Sequence, residues 1–223
     1  MSESLNITNE DNMLLMARYP DNYFDLAIVD PPYGLDFTKY KRVSTATNGE
    51  KYVSNNYKKG DWDKTIPSEE YFKELFRVSK NQIIWGGNYF PLPPTQCFIF
   101  WYKQNPVANF SDGELSWTSF SKPALCFDYR YYGNLAGKTS ATEKYHPTQK
   151  PVELYEYCIS KLAKEGDKIL DTHLGSGNIA LAVDNMNKME KMNLTLTACE
   201  IDKDYYESAI KRISIKTNWQ SLF

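Results

Sequence analysis

Histidine is nearly absent. His146 and His173 are too few and too far apart in sequence to suggest a zinc site. Cys97, Cys126, Cys158 and Cys199 are scattered without metal or redox spacing, and they read as reduced thiols rather than as a disulfide framework. No apolar run reaches the length needed to span a bilayer, so no membrane partner is expected. The first residues carry acids at Glu3, Glu10 and Asp11 and lack a signal-peptide profile. With the cysteines, this sets the expectation of a cytoplasmic protein. Internal repeats and low-complexity tails are missing too. The formal net charge of -2 excludes a generally adhesive cationic protein but not a local basic footprint.

What is present suits one soluble domain. At 223 residues the chain can bury a sizeable core. Hydrophobic content of 42% and charged content of 24% are ordinary. Aromatic content is high at 15%, with 17 tyrosines. Most of these belong to structure, although tyrosines are also what a base-stacking surface uses.

The chain is organised around Leu26-Ala27-Ile28-Val29-Asp30-Pro31-Pro32-Tyr33. The apolar part reads as a buried strand, too short for a helix. Neither proline has an N–H, and Pro31 biases Asp30 away from helical dihedrals, so the strand ends here. The result is a stiff loop at a strand's carboxyl end, where open α/β sheets place ligands. It presents a carboxylate, carbonyls without competing donors and a planar ring, a set suited to a flat amino-bearing ring. Taken alone, the tetrapeptide reads equally well as a proline turn.

Residues 34–66 follow as a long loop. Between Gly34 and Gly60, six basic residues stand against Asp36 and Glu50, a net of +4 in a chain that is negative as a whole. Lys39, Lys41, Arg42, Lys58 and Lys59, with Tyr57 among them, mark a nucleic-acid contact loop; a solvated flexible loop is the competing reading.

Further along, Ser68 caps a helix with Glu69 and Glu70 in its first turn and Tyr71, Phe72, Leu75 and Phe76 on one face. Strands are expected at Ile83–Trp85, Cys97–Trp101 and Ala124–Tyr129, with a mostly polar connection over 103–122 and an irregular stretch from Tyr131 to Pro147. Pro151 opens a helix buried through Leu154, Cys158, Ile159 and Leu162. Alternating strands and helices imply a mostly parallel sheet covered on both faces.

A second site lies near the other end. Ile169-Leu170 leads to Asp171, then to Thr172-His173-Leu174-Gly175-Ser176-Gly177-Asn178 and a helix over Ile179–Met189. Gly175 and Gly177 permit close approach of a ligand. Glu200, 29 residues beyond Asp171, ends the next strand, where a ribose diol is held. A structural αβ turn with a surface acid is the plainer reading. No Lys or Arg lies in the glycine turn, and Asp171 would repel a pyrophosphate. An acid on each side suits a cationic, phosphate-free nucleoside, and S-adenosylmethionine is that molecule.

Together these residues resemble the amino-methyltransferases of DNA, in the permuted group whose catalytic half precedes the cofactor half. Asp30-Pro31-Pro32-Tyr33 matches the catalytic D-P-P-Y, and His146-Pro147-Thr148-Gln149-Lys150-Pro151 the H-P-T-x-K-P segment. Asp171 through Gly177 matches D-x-x-x-G-S-G, and Cys199-Glu200-Ile201-Asp202, with Tyr205, Tyr206 and Ala209, the next strand end and helix. The four matches occur in the right order over nearly the whole chain. Thr172-His173 replaces the family's Pro-Phe, which makes His173 a replaced packing residue. Glu10 stands where a glycine often precedes the acid at Asp11.

The resemblance implies a single-domain α/β Rossmann-like class I methyltransferase fold, with residues 1–146 as catalytic half and 147–223 as cofactor half. It implies methyl transfer to adenine N6 in double-stranded DNA, with the base flipped out of the helix. Asp30 and the Pro31 carbonyl accept from the amine, Pro32 holds the carbonyl, and Tyr33 stacks on the base. Glu200 holds the cofactor's ribose, Asp171 lies near its amine, Gly175, Ser176, Gly177 and Asn178 form its loop, Thr148 and Lys150 frame its methionine end, and Asp11 lies near its adenine. No metal is required. Cytosine N4, an RNA base, or a non-enzymatic nucleic-acid-binding protein with a vestigial cofactor site remain open. Residues 103–122 and 131–146 are short for target recognition, which is compatible with a homodimer or a partner protein acting at the nucleoid.

Overall fold

The computed structural model describes residues 4–35, 43–45, 51–53, 65–104, 111–131 and 149–219. Lys39, Lys41, Arg42, Tyr57, Lys58, Lys59, His146 and Thr148 lie outside the described residues. In chain order the elements are β1 (Leu5–Asn9), α1 (Asn12–Ala17), β2 (Phe24–Val29), β3 (Val43–Thr45), β4 (Lys51–Val53), α2 (Glu69–Val78) and β5 (Ser79–Trp85). There follow β6 (Phe98–Tyr102), β7 (Gly113–Thr118), β8 (Leu125–Asp128), α3 (Val152–Leu162), β9 (Lys168–Asp171), α4 (Asn178–Glu190), β10 (Thr195–Glu200) and α5 (Lys203–Trp219).

Eight strands form one sheet in the order β1-β10-β9-β2-β5-β7-β6-β8. From β1 to β5 every pairing is parallel. β7 alone runs against its neighbours β5 and β6, and β8 again lies parallel to β6. Successive strand residues point to opposite faces. Leu26 and Ile28 therefore join a core with Leu154, Cys158, Ile179, Val183 and Ile213 of α3, α4 and α5. Ala27 and Val29 face the other way, into a core with Leu15, Met16, Tyr71, Phe72 and Leu75 of α1 and α2. Both faces are covered, as an α/β sheet of buried parallel strands requires.

The helix starts follow from side-chain capping. Asp11 Oδ1 accepts from Met13 N at 2.8 Å and Leu14 N at 3.3 Å. Ser68 Oγ accepts from Tyr71 N at 3.3 Å. Helix α2 runs straight into β5 at Ser79, whose hydroxyl donates to the Leu75 carbonyl at 2.5 Å.

Two expectations are corrected. The stretch 34–66 is not wholly loop, because β3 and β4 pair antiparallel within it. The polar connection 103–122 contains β7. Its pattern misleads because the polar residues face inward: Ser116 and Thr118 are fully buried, and Thr118 Oγ1 donates to the Cys97 carbonyl at 2.6 Å. Gly113 begins this strand under the Phe100 ring. A Cβ there would lie 2.4 Å from Phe100 Cζ and 2.4 Å from the Trp101 carbonyl oxygen. Gly113→Ala is expected to cost about 1–3 kcal/mol of stability by overpacking. Urea denaturation checks this, and an unchanged midpoint contradicts the packing argument.

Candidate functional site

The parallel strands bring their carboxyl ends to one edge of the sheet. Asn9 of β1 pairs with Glu200 of β10, and Ala198 of β10 with Asp171 of β9. β2 lies beside β9 and ends one residue before Asp30. The chain leaves the β2–β9 boundary in opposite directions, a topological switch point where open α/β sheets form their clefts. Because β7 is reversed, its beginning rather than its end reaches this edge. Glu114 there pairs with Trp101 of β6.

Asp30 is the centre of a buried polar cluster. Its Oδ1 accepts from the Tyr33 hydroxyl at 2.6 Å and is ion-paired with Lys150 Nζ at 2.6 Å. Lys150 Nζ also donates to Tyr33 Oη at 3.0 Å and lies 3.1 Å from Glu114 Oε2. Glu114 Oε1 accepts from Lys103 Nζ. The Lys150 residue is only 4% exposed. Burial opposes its charge, yet Asp30 and then Glu114 hold the ammonium above its ordinary pKa. Burial likewise opposes the Glu114 carboxylate, but Lys150 and Lys103 bring it down to about 2. Burial, with Asp30 and Glu114 adding to it, pushes the Tyr33 phenol well up.

The Tyr33 ring is packed from the strand end that follows β5. It stacks on Tyr89, with centroids 5.0 Å apart and planes at 15°. Gly86, at φ +71°, lies against the same ring, and a Cβ there would come within 2.2 Å of Tyr33 Cε1. A left-handed glycine is therefore needed at this turn for both conformation and space.

The second site is built on the turn between β9 and α4. Glu200 Oε2 accepts from Gly175 N at 2.9 Å, and its Oε1 from Asp202 N at 3.0 Å. Each oxygen keeps a second lone pair. Burial raises the Glu200 pKa. Asp171 is 2% exposed and accepts from His173 N at 2.9 Å. Among the described residues no side-chain cation pairs with it. Burial first, then the charges of Asp30 and Glu200, raise its pKa to about 8.

Several expected site residues are also engaged with the fold. Gly177 sits at φ +76°, which favours glycine, and a Cβ there would meet Ile213 Cδ1 of α5 at 2.9 Å. Asn178 donates to the Lys150 carbonyl and accepts from Arg212 Nη1, so both ends of its amide serve the fold. Arg212 also donates to the Ser176 carbonyl at 2.8 Å. The Lys150 ammonium lies on Asp30 rather than at the far end of the second site. Asp11 is the cap of α1. Pro31 is buried and Pro32 half-buried at the end of β2.

His173 is packed as expected, edge-on to Tyr71 at 5.4 Å, but it is also hydrogen-bonded. Its Nδ1 lies 2.9 Å from Thr172 Oγ1 and its Nε2 3.2 Å from Asn12 Nδ2, and Thr172 Oγ1 lies 2.7 Å from Tyr71 Oη. Burial brings its pKa down to about 4, so the ring is neutral. Glu114 and Lys103 were missed by the sequence reading. An inward polar alternation over 114, 116 and 118 was the available signal.

The family model N6_N4_Mtase, described as DNA methylase, matches residues 84–211, more than half of the chain. The chain is 24% identical over 250 residues to the Type II methyltransferase M2.DpnII of Streptococcus pneumoniae, covering 93% of this chain and 88% of that one. It is 26% identical over 245 residues to M.HpaI of Haemophilus parainfluenzae, covering 89% and 70%. Among solved structures, the M1.HpyAVI–SAM complex superposes with a TM-score of 0.58 at 19% identity, covering 94% of this chain and 98% of that one. The cytosine-N4-specific PvuII DNA methyltransferase does so with 0.55 at 14% identity, covering 98% and 93%. Both share the fold. Among the described residues, no helix is long and apolar enough to cross a membrane.

The raised pKa of Asp171 makes a signed prediction. Between the ordinary aspartate value and about 8, the unfolded chain has lost this proton and the folded chain keeps it, so stability falls as pH rises across that window. Asp171→Asn removes the penalty. In the ligand-free protein the variant should melt higher than wild type at pH 9, with the gap shrinking toward pH 4. Equal differences at both pH values would refute the assignment.

Proposed function

The chain belongs to the N6/N4 DNA methylases, and on that premise we propose that it methylates the N6 amine of adenine in double-stranded DNA, with S-adenosylmethionine as donor. The observation that carries this reading is the adjacency of two unlike carboxylate sites on one sheet edge. Asp30 follows β2, while Asp171 and Glu200 end β9 and β10 beside it.

The second site fits the donor. Among the described residues no side-chain cation pairs with Asp171, and burial, followed by the charges of Asp30 and Glu200, raises its pKa. A ligand ammonium supplies the missing charge. Glu200 offers free lone pairs to a ribose diol, and the turn carries no Lys or Arg that would mark a phosphate. When bound, S-adenosylmethionine supplies an activated methyl group on a cationic sulfur.

The chain's own groups do the rest. The amine's lone pair is delocalised into the base, so catalysis rests on acceptors placed where positive charge develops. Asp30 Oδ1 is held by Tyr33 and Lys150, and among the described residues Oδ2 takes no hydrogen bond. Oδ2 accepts one amine hydrogen and the Pro31 carbonyl the other; Pro32 has no N–H to compete for that carbonyl. Tyr33 is the aromatic neighbour of the base. A paired base cannot reach this edge, so the nucleotide must flip out. Residues 1–146 serve as the catalytic half and 147–223 as the cofactor half. The basic stretch from Lys39 to Lys59, with a second copy or a partner protein, supplies target recognition.

The aspartate opening the D-P-P-Y motif favours adenine. Cytosine N4 on the same scaffold is the second reading, because a fold neighbour acts there. Labelled methyl transfer to unmethylated duplex DNA, followed by nucleoside analysis, tests the assignment. N6-methyladenine is expected, and N4-methylcytosine would overturn the base. Asp30→Ala should cut kcat by roughly 10²–10³-fold or more while cofactor affinity, read by calorimetry, stays near wild type. Comparable turnover in that variant would refute the role of Asp30.

A further inference from the structure

One ammonium serves two carboxylates in this site, and only one of them faces the substrate edge of β2. Lys150 Nζ has three N–H groups and three neighbours: Asp30 Oδ1 at 2.6 Å, Tyr33 Oη at 3.0 Å and Glu114 Oε2 at 3.1 Å. The second is a hydrogen bond, and the first and third are ion pairs. Glu114 Oε2 is buried and has no hydrogen-bond partner among the described residues, so Glu114 attracts Lys150 chiefly by its charge.

Glu114 is anchored from the far side. Its Oε1 is taken by Lys103, which lies 4.7 Å over the Trp101 ring, and Trp101 Nε1 donates to the Tyr129 carbonyl at 3.0 Å. The pairing of Trp101 with Glu114 fixes the carboxylate at the start of β7. Asp30, just past the end of β2, and Glu114, at the start of β7, thus hold Lys150 from two sides. Removing Glu114's charge would leave the ammonium to Asp30 alone. That carboxylate would then meet the substrate amine as half of a closed ion pair rather than as a free acceptor.

We propose that Glu114 is a positioning residue for the methyl transfer: by sharing Lys150 it keeps the Asp30 carboxylate available to the amine. The proposal rests on the methylase reading of the Asp30 site. It assigns a role to a side chain that never needs to touch substrate or cofactor.

The test uses the full chain with unmethylated duplex DNA and S-adenosylmethionine. Glu114→Gln keeps shape and an acceptor for Lys103 but removes the charge. It should lower kcat roughly 10–100-fold, the scale on which supporting partners act. Cofactor Kd by calorimetry and KM for DNA should stay within about twofold of wild type, a split that a merely structural role does not produce. Glu114→Asp should recover part of the loss. In a Lys150→Met background, Glu114→Gln should add little further loss, because its effect runs through the lysine. Wild-type kcat in Glu114→Gln, a parallel loss of cofactor binding, or full additivity with Lys150→Met would each overturn the proposal. If Glu114→Gln does not fold, Glu114→Asp and the double variant, which removes one charge of each sign, decide the matter. An active wild type with an unaffected Glu114→Gln defeats this assignment alone, whereas a wild type that transfers no methyl group defeats the reading of the site itself.

Discussion

The Lys150 ammonium joins parts of the chain that are far apart in sequence. It stands just before α3, reaches Asp30 and Tyr33 at the end of β2, and is drawn from behind by Glu114 on β7. Burying such a group is costly unless its partners are also fixed. The surrounding structure fixes them: Gly86 and Tyr89 hold the Tyr33 ring, Lys103 holds Glu114, and Asn178 holds the Lys150 carbonyl while Arg212 holds Asn178. The clamp on the Asp30 carboxylate and the clamp on the glycine turn are therefore one polar system passing through a single residue.

The acids of this sheet edge show how environment separates identical carboxyl groups. Glu114 has two ammonium groups and is held strongly acidic. Asp171 is more deeply buried, accepts from one backbone N–H and, among the described residues, pairs with no side-chain cation, and its pKa is raised to about 8. The same chemistry is thus a finished ion pair in one place and an unmet demand for positive charge in the other. Strongly shifted groups of this kind cluster at functional sites.

Much of this was legible in the sequence because it is local. Asp30-Pro31-Pro32-Tyr33 stops a strand by covalent geometry alone, and Asp171 through Gly177 writes a strand, a turn and a helix start within a few residues. The two-faced α/β sheet follows from the alternation of such units. What could not be read depends on strand pairing. Glu114 approaches Asp30 only because β7 is reversed between β5 and β6, and Ser116 and Thr118 disguised that strand by pointing polar groups inward. The packing of Gly177 on Ile213 and the bond of Asn178 to Arg212 could not be read either, because those neighbours lie more than thirty residues away, on α5. Lys150 belonged to a recognisable motif, yet the motif gave no direction to its side chain. His173 was rightly read as packing, but its links to Asn12, Thr172 and Tyr71 required α1 and α2 to be in place.

The reversed strand has one more implication. In a purely parallel sheet, every connection that leaves the functional edge must cross to the opposite edge before the next strand begins. Here β6 ends at the functional edge and β7 starts there, so the connection between Tyr102 and Gly113 is bounded on both sides by the same rim as Asp30. Extra residues between those two positions would enlarge the surface beside Asp30 without changing the register of any strand. The fold thus has an expansion joint at this rim, where the chain can lengthen while the strands beneath it stay fixed.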